Sequence, residues 1–256
     1  MTQEDYVLIN KQDQWIELTL NRPQNLNSLS EKMMQALQRA LHDIAEQDDI
    51  TCVILKANGK AFSAGHDIKE MVANVSDTYY QGLFQQCSQL MQSIVNLPVP
   101  VIAEVQGLAT AAGCQLVASC DLAVAAENAQ FGVSGINLGL FCSTPAVALS
   151  RAIAPKHAME MLLTGEFISA AEAQQKGLIN RIASAEQLTQ ASRALATTIS
   201  EKLPAAVKTG KAMFYPQQEK SLAEAYKFAS DYMICNIMAT ETQAGMANFV
   251  NRKKTQ

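Results

Sequence analysis

The chain has 256 residues, 48% of them hydrophobic and 17% charged, enough to bury roughly three quarters of its unfolded surface, which excludes a mainly disordered chain and fits one large domain with at most a small appendage. Twenty Lys and Arg against 24 Asp and Glu leave a net charge of −4, and cations cluster only at Arg252 to Lys254, which argues against nucleic acid as a partner because that binding needs grouped Lys and Arg on phosphates. No run approaches the roughly 18 apolar residues of a bilayer span, the six cysteines form no C-x-x-C pair and read as reduced interior thiols, and the three histidines have no metal-site spacing, so the expectation is a cytosolic protein with no metal and no membrane insertion.

Val7 to Asn10 and Trp15 to Leu20 read as paired strands. In the second, Ile16, Leu18 and Leu20 alternate with Trp15, Glu17 and Thr19, as in a strand buried on one face. Ser28 followed by Glu31 is a capping-box pattern opening an amphipathic helix through Met34, Leu37, Leu41 and Ile44. Cys52 to Lys56 is a β-rich run, Asn58-Gly59 a turn, and Ala61 to Ser63 a second extended piece. Lys69 to Tyr80 reads as a polar, mobile stretch before a helix from Gln81 to Asn96. Pro98 and Pro100 introduce a strand, Val99 to Val105, and the small residues Gly107 to Gly113 lead into a buried helix ending near Ser119, followed by a strand from Asp121 to Ala126. The order strand, strand, helix thus recurs about every 45 to 50 residues, a coil of ββα units. Ser169 and Glu172 form another capping box, Gly177 ends that helix, and Leu178 to Ala183 is a strand. Beyond Gln187 the spacing is helical, with an apolar, Met- and Tyr-bearing face at Leu222, Tyr226, Ala229, Met233 and Ile237 suited to packing on the core or on another subunit.

Two small-residue turns run from strand to helix, Phe62 to Lys69 and Gly107 to Gln115. Free N–H groups at a helix start favour an anionic oxygen, and two such turns facing each other make an oxyanion hole. The same glycines also serve plain tight turns and close helix–strand packing, and on pattern alone both readings stand.

Leu20 to Pro23, Asn27 to Leu29, Phe62 to Glu70, Pro100 to Asp121, and Leu163 to Glu166 through Gly177 to Ile179 resemble, in order and spacing, the enoyl-CoA hydratase/isomerase (crotonase) family over nearly the whole chain. Gly139 to Pro145 and Ala111 to Asp121 are similar to one subgroup of it. The resemblance implies an α/β fold, the crotonase-like (ClpP/crotonase) spiral of ββα units. Residues 1–195 would form the core with an acyl-CoA site and residues 196–256 a C-terminal α-helical trimerisation region. It also implies a homotrimer or dimer of trimers, an acyl-CoA substrate, and no permanently bound cofactor, coenzyme A being part of the substrate.

Carried over by position, the oxyanion donors are the backbone N–H groups of His66, after Gly65, and Ala112, before Gly113. The His66 side chain reads either as a turn residue or as part of the chemistry. Ala64, Gly65, Asp67, Ile68 and Lys69 align with the segment lining the coenzyme A cleft, where a Lys meets phosphate, although Lys69 also reads as a solvated helix-start residue. Arg22 and Asn25 fall in the family's other coenzyme A loop. Phe249 and Lys253 lie where family members complete a neighbour's site, although a solvated basic tail is the plainer reading.

The chain departs from the family where hydratases use two glutamates, since the matching positions are Gln115 and Gly135. An amide orients a water but has no pKa near neutrality, and Gly135 offers backbone alone. Cys142, in the loop Leu140 to Pro145, is the most nucleophilic replacement, if its thiol pKa is depressed; Ser143 and Thr144 read as turn or capping residues. The leading expectation from the resemblance is an enzyme acting on acyl-CoA thioesters through the oxyanion hole, nominally a 2-enoyl-CoA hydratase. The alternatives are a non-catalytic acyl-CoA-binding protein, a thioester-processing enzyme using another polar group, or a spiral-fold serine peptidase using Ser63 or Ser119, neither of which sits in a Gly-x-Ser turn.

Overall fold

The computed structural model describes residues 5–252. Val7–Lys11 (β1) and Trp15–Leu20 (β2) pair antiparallel, and Glu31–Ala45 (α1) follows. The cap of α1 is Ser30, whose side chain accepts from Met33 N. This corrects the expected Ser28 box, because the Ser28 hydroxyl donates instead to Asp67 Oδ2, 3.1 Å away.

Cys52–Ala57 (β3), Ala61–Ser63 (β4), Val101–Val105 (β5), Leu108–Thr110 (β6), Leu122–Ala126 (β7) and Gln130–Gly132 (β8) alternate between two sheets, with Ile168–Ser169 (β9) and Arg181–Ala183 (β10) completing them. One sheet has the order β1-β2-β3-β5-β7-β10 and the other β4-β6-β8-β9. The joins β2-β3-β5-β7-β10 and β4-β6-β8 are parallel, so each coil of the spiral adds one strand to each sheet. In the first unit both strands lie in the larger sheet. The expected mobile stretch holds a helix, Ile68–Ala73 (α2), and the start of Asp77–Val95 (α3), which Ser76 caps. Ala112–Ser119 (α4), Ser143–Ala152 (α5), Pro155–Thr164 (α6) and Ala170–Lys176 (α7) follow, the last with the expected Ser169–Glu172 capping box and Gly177 at its left-handed end.

β2 is buried on both faces, not one. Ile16, Leu18 and Leu20 join the main core, while Glu17 on the opposite face is 4% exposed. Leu188–Ser200 (α8) covers that face, and Leu195 and Ala196 pack on Cys52, Ile54, Ile102 and Val124. Arg193 of α8 donates to both Glu17 oxygens at 2.6 and 3.1 Å. Although burial alone would raise the Glu17 pKa, these bonds and Lys56 hold it below the usual carboxylate value. The expected boundary at residue 195 therefore falls inside a helix of the core. The helical appendage begins at Pro204–Gln217 (α9) and continues through Leu222–Ile237 (α10) and Thr240–Arg252 (α11).

Asp121 lashes α9 to the core. Its Oδ2 accepts from Val101 N and from Lys211 Nζ, each at 2.7 Å, and its Oδ1 accepts from Tyr215 OH at 2.8 Å. Lys211 Nζ also donates to Ile94 O and Val99 O at 3.0 Å. Asp121 lies two residues past the end of α4, so the helix that begins at Ala112 is anchored near its far end to the C-terminal region.

Candidate active site

The two turns meet. Gly65 has φ +86°, and a Cβ there would lie 2.9 Å from Ala111 Cβ and 3.1 Å from Ala112 N; a Cβ on Gly113 would lie 2.2 Å from Ser63 O. Both positions demand glycine, Gly65 for its left-handed backbone and Gly113 for the close approach of α4 to β4. Ala111 itself has φ 49° and ψ −122°, a conformation that strains a side chain and occurs where a site is held in place by its surroundings. Its N–H donates to Gly132 O at 2.9 Å.

Ala112 is the first residue of α4, so its N–H has no partner within the helix and lies at the positive end of the helix dipole. Among the described residues neither Ala112 N–H nor His66 N–H donates to another backbone group. The register between β4 and β6 sets this juxtaposition: Ala61 pairs with Leu108 and Ser63 with Ala109, so β4 carries one extra residue as a bulge beside the turn.

Both donors line a pocket of about 240 Å³, walled by apolar side chains such as Met71, Phe84, Leu140 and Phe141. None of the described residues lining it is a carboxylate. The preceding loops are pinned by Asn27, whose Nδ2 donates to Asn58 O and Ala61 O and whose Oδ1 accepts from Arg22 N, all at 2.8 Å. In sequence Asn27 stands only as part of the family-like segment Asn27 to Leu29, with nothing to mark its side chain as the one that pins the loops.

Comparison with known proteins decides the family. The enoyl-CoA hydratase/isomerase sequence pattern matches residues 10–256. The chain belongs to the enoyl-CoA hydratase/isomerase family. It is 45% identical over 237 residues to the mitochondrial enoyl-CoA hydratase domain-containing protein 3 of Xenopus laevis, covering 93% of this chain and 81% of that one. The crystal structure of an enoyl-CoA hydratase from Mycobacterium smegmatis is similar at 50% identity and a TM-score of 0.96, covering 97% of each chain. That of human enoyl-CoA hydratase domain-containing protein 3 is similar at 42% identity and a TM-score of 0.93, covering 96% of this chain and 98% of that one. The fold is the crotonase spiral.

Within that family frame the two glutamate positions diverge. Gln115 lies outside the pocket lining, 3% exposed, its Oε1 facing Cys87 Sγ at 3.9 Å. This corrects the expectation that its amide orients a water. Gly135 does line the pocket, but a Cβ there would lie 2.7 Å from both Cys142 Sγ and Leu140 O. The loop from Gly139 to Cys142 has folded onto the space a longer side chain would need, with Leu140 N donating to Gly135 O at 3.0 Å.

Cys142 is not an activated nucleophile. Its thiol is buried, and burial pushes its pKa up, so it stays protonated near neutrality. Ser143 Oγ donates to Phe141 O within the turn. The peptidase reading fails on its hydroxyls: Ser63 Oγ donates to Asn27 O at 2.9 Å and Ser119 Oγ to Gln115 O at 2.8 Å.

The expected coenzyme A residues divide. Ala64 and Ile68 line the pocket with His66. Asp67 is the cap of α2, its Oδ1 accepting from Lys69 N and Glu70 N. Lys69 and Asn25 are exposed, and Arg22 places its guanidinium 4.7 Å from the centre of the Tyr6 ring. Phe249, on α11, is exposed and is not among the pocket residues; Lys253 lies outside the described residues.

Proposed function

We propose that this chain binds an acyl-CoA thioester with its carbonyl oxygen between the N–H groups of His66 and Ala112, and that it polarises the thioester toward its enolate far better than it hydrates an enoyl chain. The observation that carries this reading is two N–H groups, without a backbone acceptor among the described residues, meeting in an apolar pocket whose described lining holds no carboxylate. Each donor aimed at a developing oxyanion lowers the barrier by about 2.7–4 kcal/mol. Coenzyme A enters as part of the substrate, with Arg22, in the loop after β2, and Lys69, at the start of α2, as the cations.

Loss of a general acid–base group costs roughly 10²- to 10⁴-fold, so water addition is the step expected to suffer. Incubating saturated and 2-enoyl-CoA esters with the protein in D₂O and weighing them by mass spectrometry tests this. The expected result is deuterium at the α-carbon of the saturated esters, with water addition to the enoyl esters at least about 100-fold slower than in a glutamate-bearing hydratase. Rapid hydration sinks the reading. Esters that bind, as a thermal shift reports, but return unchanged favour a binding protein without turnover.

The C-terminal helices carry the oligomer in this proposal. Leu222, Tyr226, Met233, Ile234 and Met238 of the α10 region are each more than 60% exposed, a run of large apolar groups that calls for a covering surface. We assign that role to further copies of this chain, in a homotrimer or dimer of trimers; a monomeric mass by sedimentation at micromolar concentration would exclude it. Among the described residues no helix is long and apolar enough to cross a membrane. The cytosolic placement remains part of the proposal, set against a relative whose name carries "mitochondrial", and cell fractionation decides between the compartments.

A further inference from the structure

His66 has a side chain that the oxyanion hole does not use. Its Nδ1 lies 3.4 Å from Leu29 O, and its Nε2 is buried with no hydrogen-bond partner among the described residues. With Nδ1–H directed at that carbonyl, Nε2 is left as a bare lone pair. The ring packs edge-on against Phe84, centroids 5.7 Å apart at 71°, and both residues line the pocket with Ala112.

An orphaned buried nitrogen is costly to a fold and calls for an explanation in function. The other exchangeable side chains lining the pocket are poorer proton acceptors. The Cys142 thiol is held up by burial, Ser134 Oγ is 3.2 Å from Thr110 Oγ1 as a hydroxyl pair, Ser143 faces its own turn, and Thr144 offers a hydroxyl, a far weaker base than imidazole. Charged groups on the surrounding segments are Asp67, Lys69 and Glu70 beside His66 in the chain, Glu31 and Lys32 at the start of α1, and Asp77 at the start of α3. Asp67 is occupied by α2 and Ser28, Glu70 Oε2 accepts from Glu31 N, and none of the six lines the pocket.

We propose that His66 supplies both halves of enolate formation, its backbone N–H holding the thioester oxygen and its imidazole Nε2 accepting the proton from the α-carbon. This rests on the thioester reading above. In the step, the α C–H bond breaks and its electron pair becomes the second, π bond between the α-carbon and the carbonyl carbon. The carbonyl π pair moves onto oxygen, where the N–H groups of His66 and Ala112 hold it. The proton goes to Nε2, giving an imidazolium whose Nδ1–H faces Leu29 O. Returning a proton or a solvent-derived deuteron to the α-carbon restores the thioester, so no further reactant is needed. Burial holds the ring below the ordinary histidine pKa, which keeps it neutral and able to accept at pH 7.

His66→Phe keeps the ring shape, the edge contact with Phe84 and the backbone N–H, and removes both nitrogens. His66→Gln keeps a polar group that does not take a proton. With butyryl-CoA labelled at its carbonyl carbon, two quantities are read: the infrared shift of the bound carbonyl, and α-deuterium incorporation in D₂O. The expected result is a polarised carbonyl in wild type and both variants, with exchange at least about 100-fold slower in the variants and no fall in melting temperature for His66→Phe. The wild-type exchange rate rises with pH through an inflection below about 6.5, and the residual rate of His66→Gln lacks it. Exchange at the wild-type rate in either variant overturns the proposal. So does a polarised carbonyl with no exchange in wild type, which leaves the thioester reading standing. An unshifted carbonyl in wild type removes that reading and the proposal together.

Discussion

Gln115→Glu combined with Gly135→Glu is expected to yield a less stable protein and no efficient hydratase. Gln115 is 3% exposed with a cysteine thiol as its side-chain contact, so a carboxylate there is buried without a cation. Desolvation raises its folded pKa above the unfolded value of about 4.3. A raised carboxyl pKa means that the variant keeps its stability below pH ~4.3 and loses it as pH climbs toward the folded pKa. A tenfold change in a protonation equilibrium is worth ~1.4 kcal/mol, and a thousandfold change, within the range for buried carboxyls, removes about 4 kcal/mol at neutral pH. The second substitution adds a steric demand, since a Cβ on Gly135 meets backbone at Leu140 O, 2.7 Å away, and the loop must open. Urea midpoints at pH 4 and pH 8, beside the absorbance of an enoyl thioester, read both effects. A gain in hydration of 100-fold or more with the stability unchanged would show that the pocket still has room for the two carboxylates and would sink this account.

Lys211→Met is expected to cost about 3–5 kcal/mol, the range for breaking a buried ion pair from one side. The loss does not come from the methylene stem, which methionine largely replaces. It comes from Asp121, left with a hydroxyl and one backbone N–H, and from Ile94 O and Val99 O, which lose their shared donor. Pairing the change with Asp121→Asn removes the stranded charge, so the double variant is expected to melt above the additive value, a coupling that a double-mutant cycle measures. Strict additivity would show that the carboxylate and the ammonium do not act as a unit.

Local chemistry was legible where it is local. The Ser169–Glu172 box and the Gly177 terminus occur as read because both partners of each contact lie within one helix. The two turns stand out in the sequence because the backbone requires glycine at Gly65 and Gly113. What stayed hidden is set by partners far along the chain. Ser28 looks like a cap until Asp67, 39 residues on, takes its hydroxyl. The polar face of β2 looks solvated until Arg193 arrives, 176 residues later, to neutralise Glu17. α2 is only six residues long, too short for a periodic pattern, and in sequence nothing separates its cap Asp67 from the cleft residues around it. The closure of the Gly139 to Cys142 loop over Gly135 is a packing event with no period at all.

The extra residue in β4 has a consequence for descent. Because Ala61 and Ser63 face neighbouring residues of β6, the donors come into phase by counting along the chain rather than by any particular side chain. Deleting Ala64, just past β4, would leave the strands, the helices and nearly all the buried surface in place while swinging Gly65 away from Ala112. A lineage can therefore lose the power to hold an oxyanion in a single small step and keep its architecture. Likeness of shape among such proteins is a record of ancestry, and their chemistry has to be read from the register of two short strands.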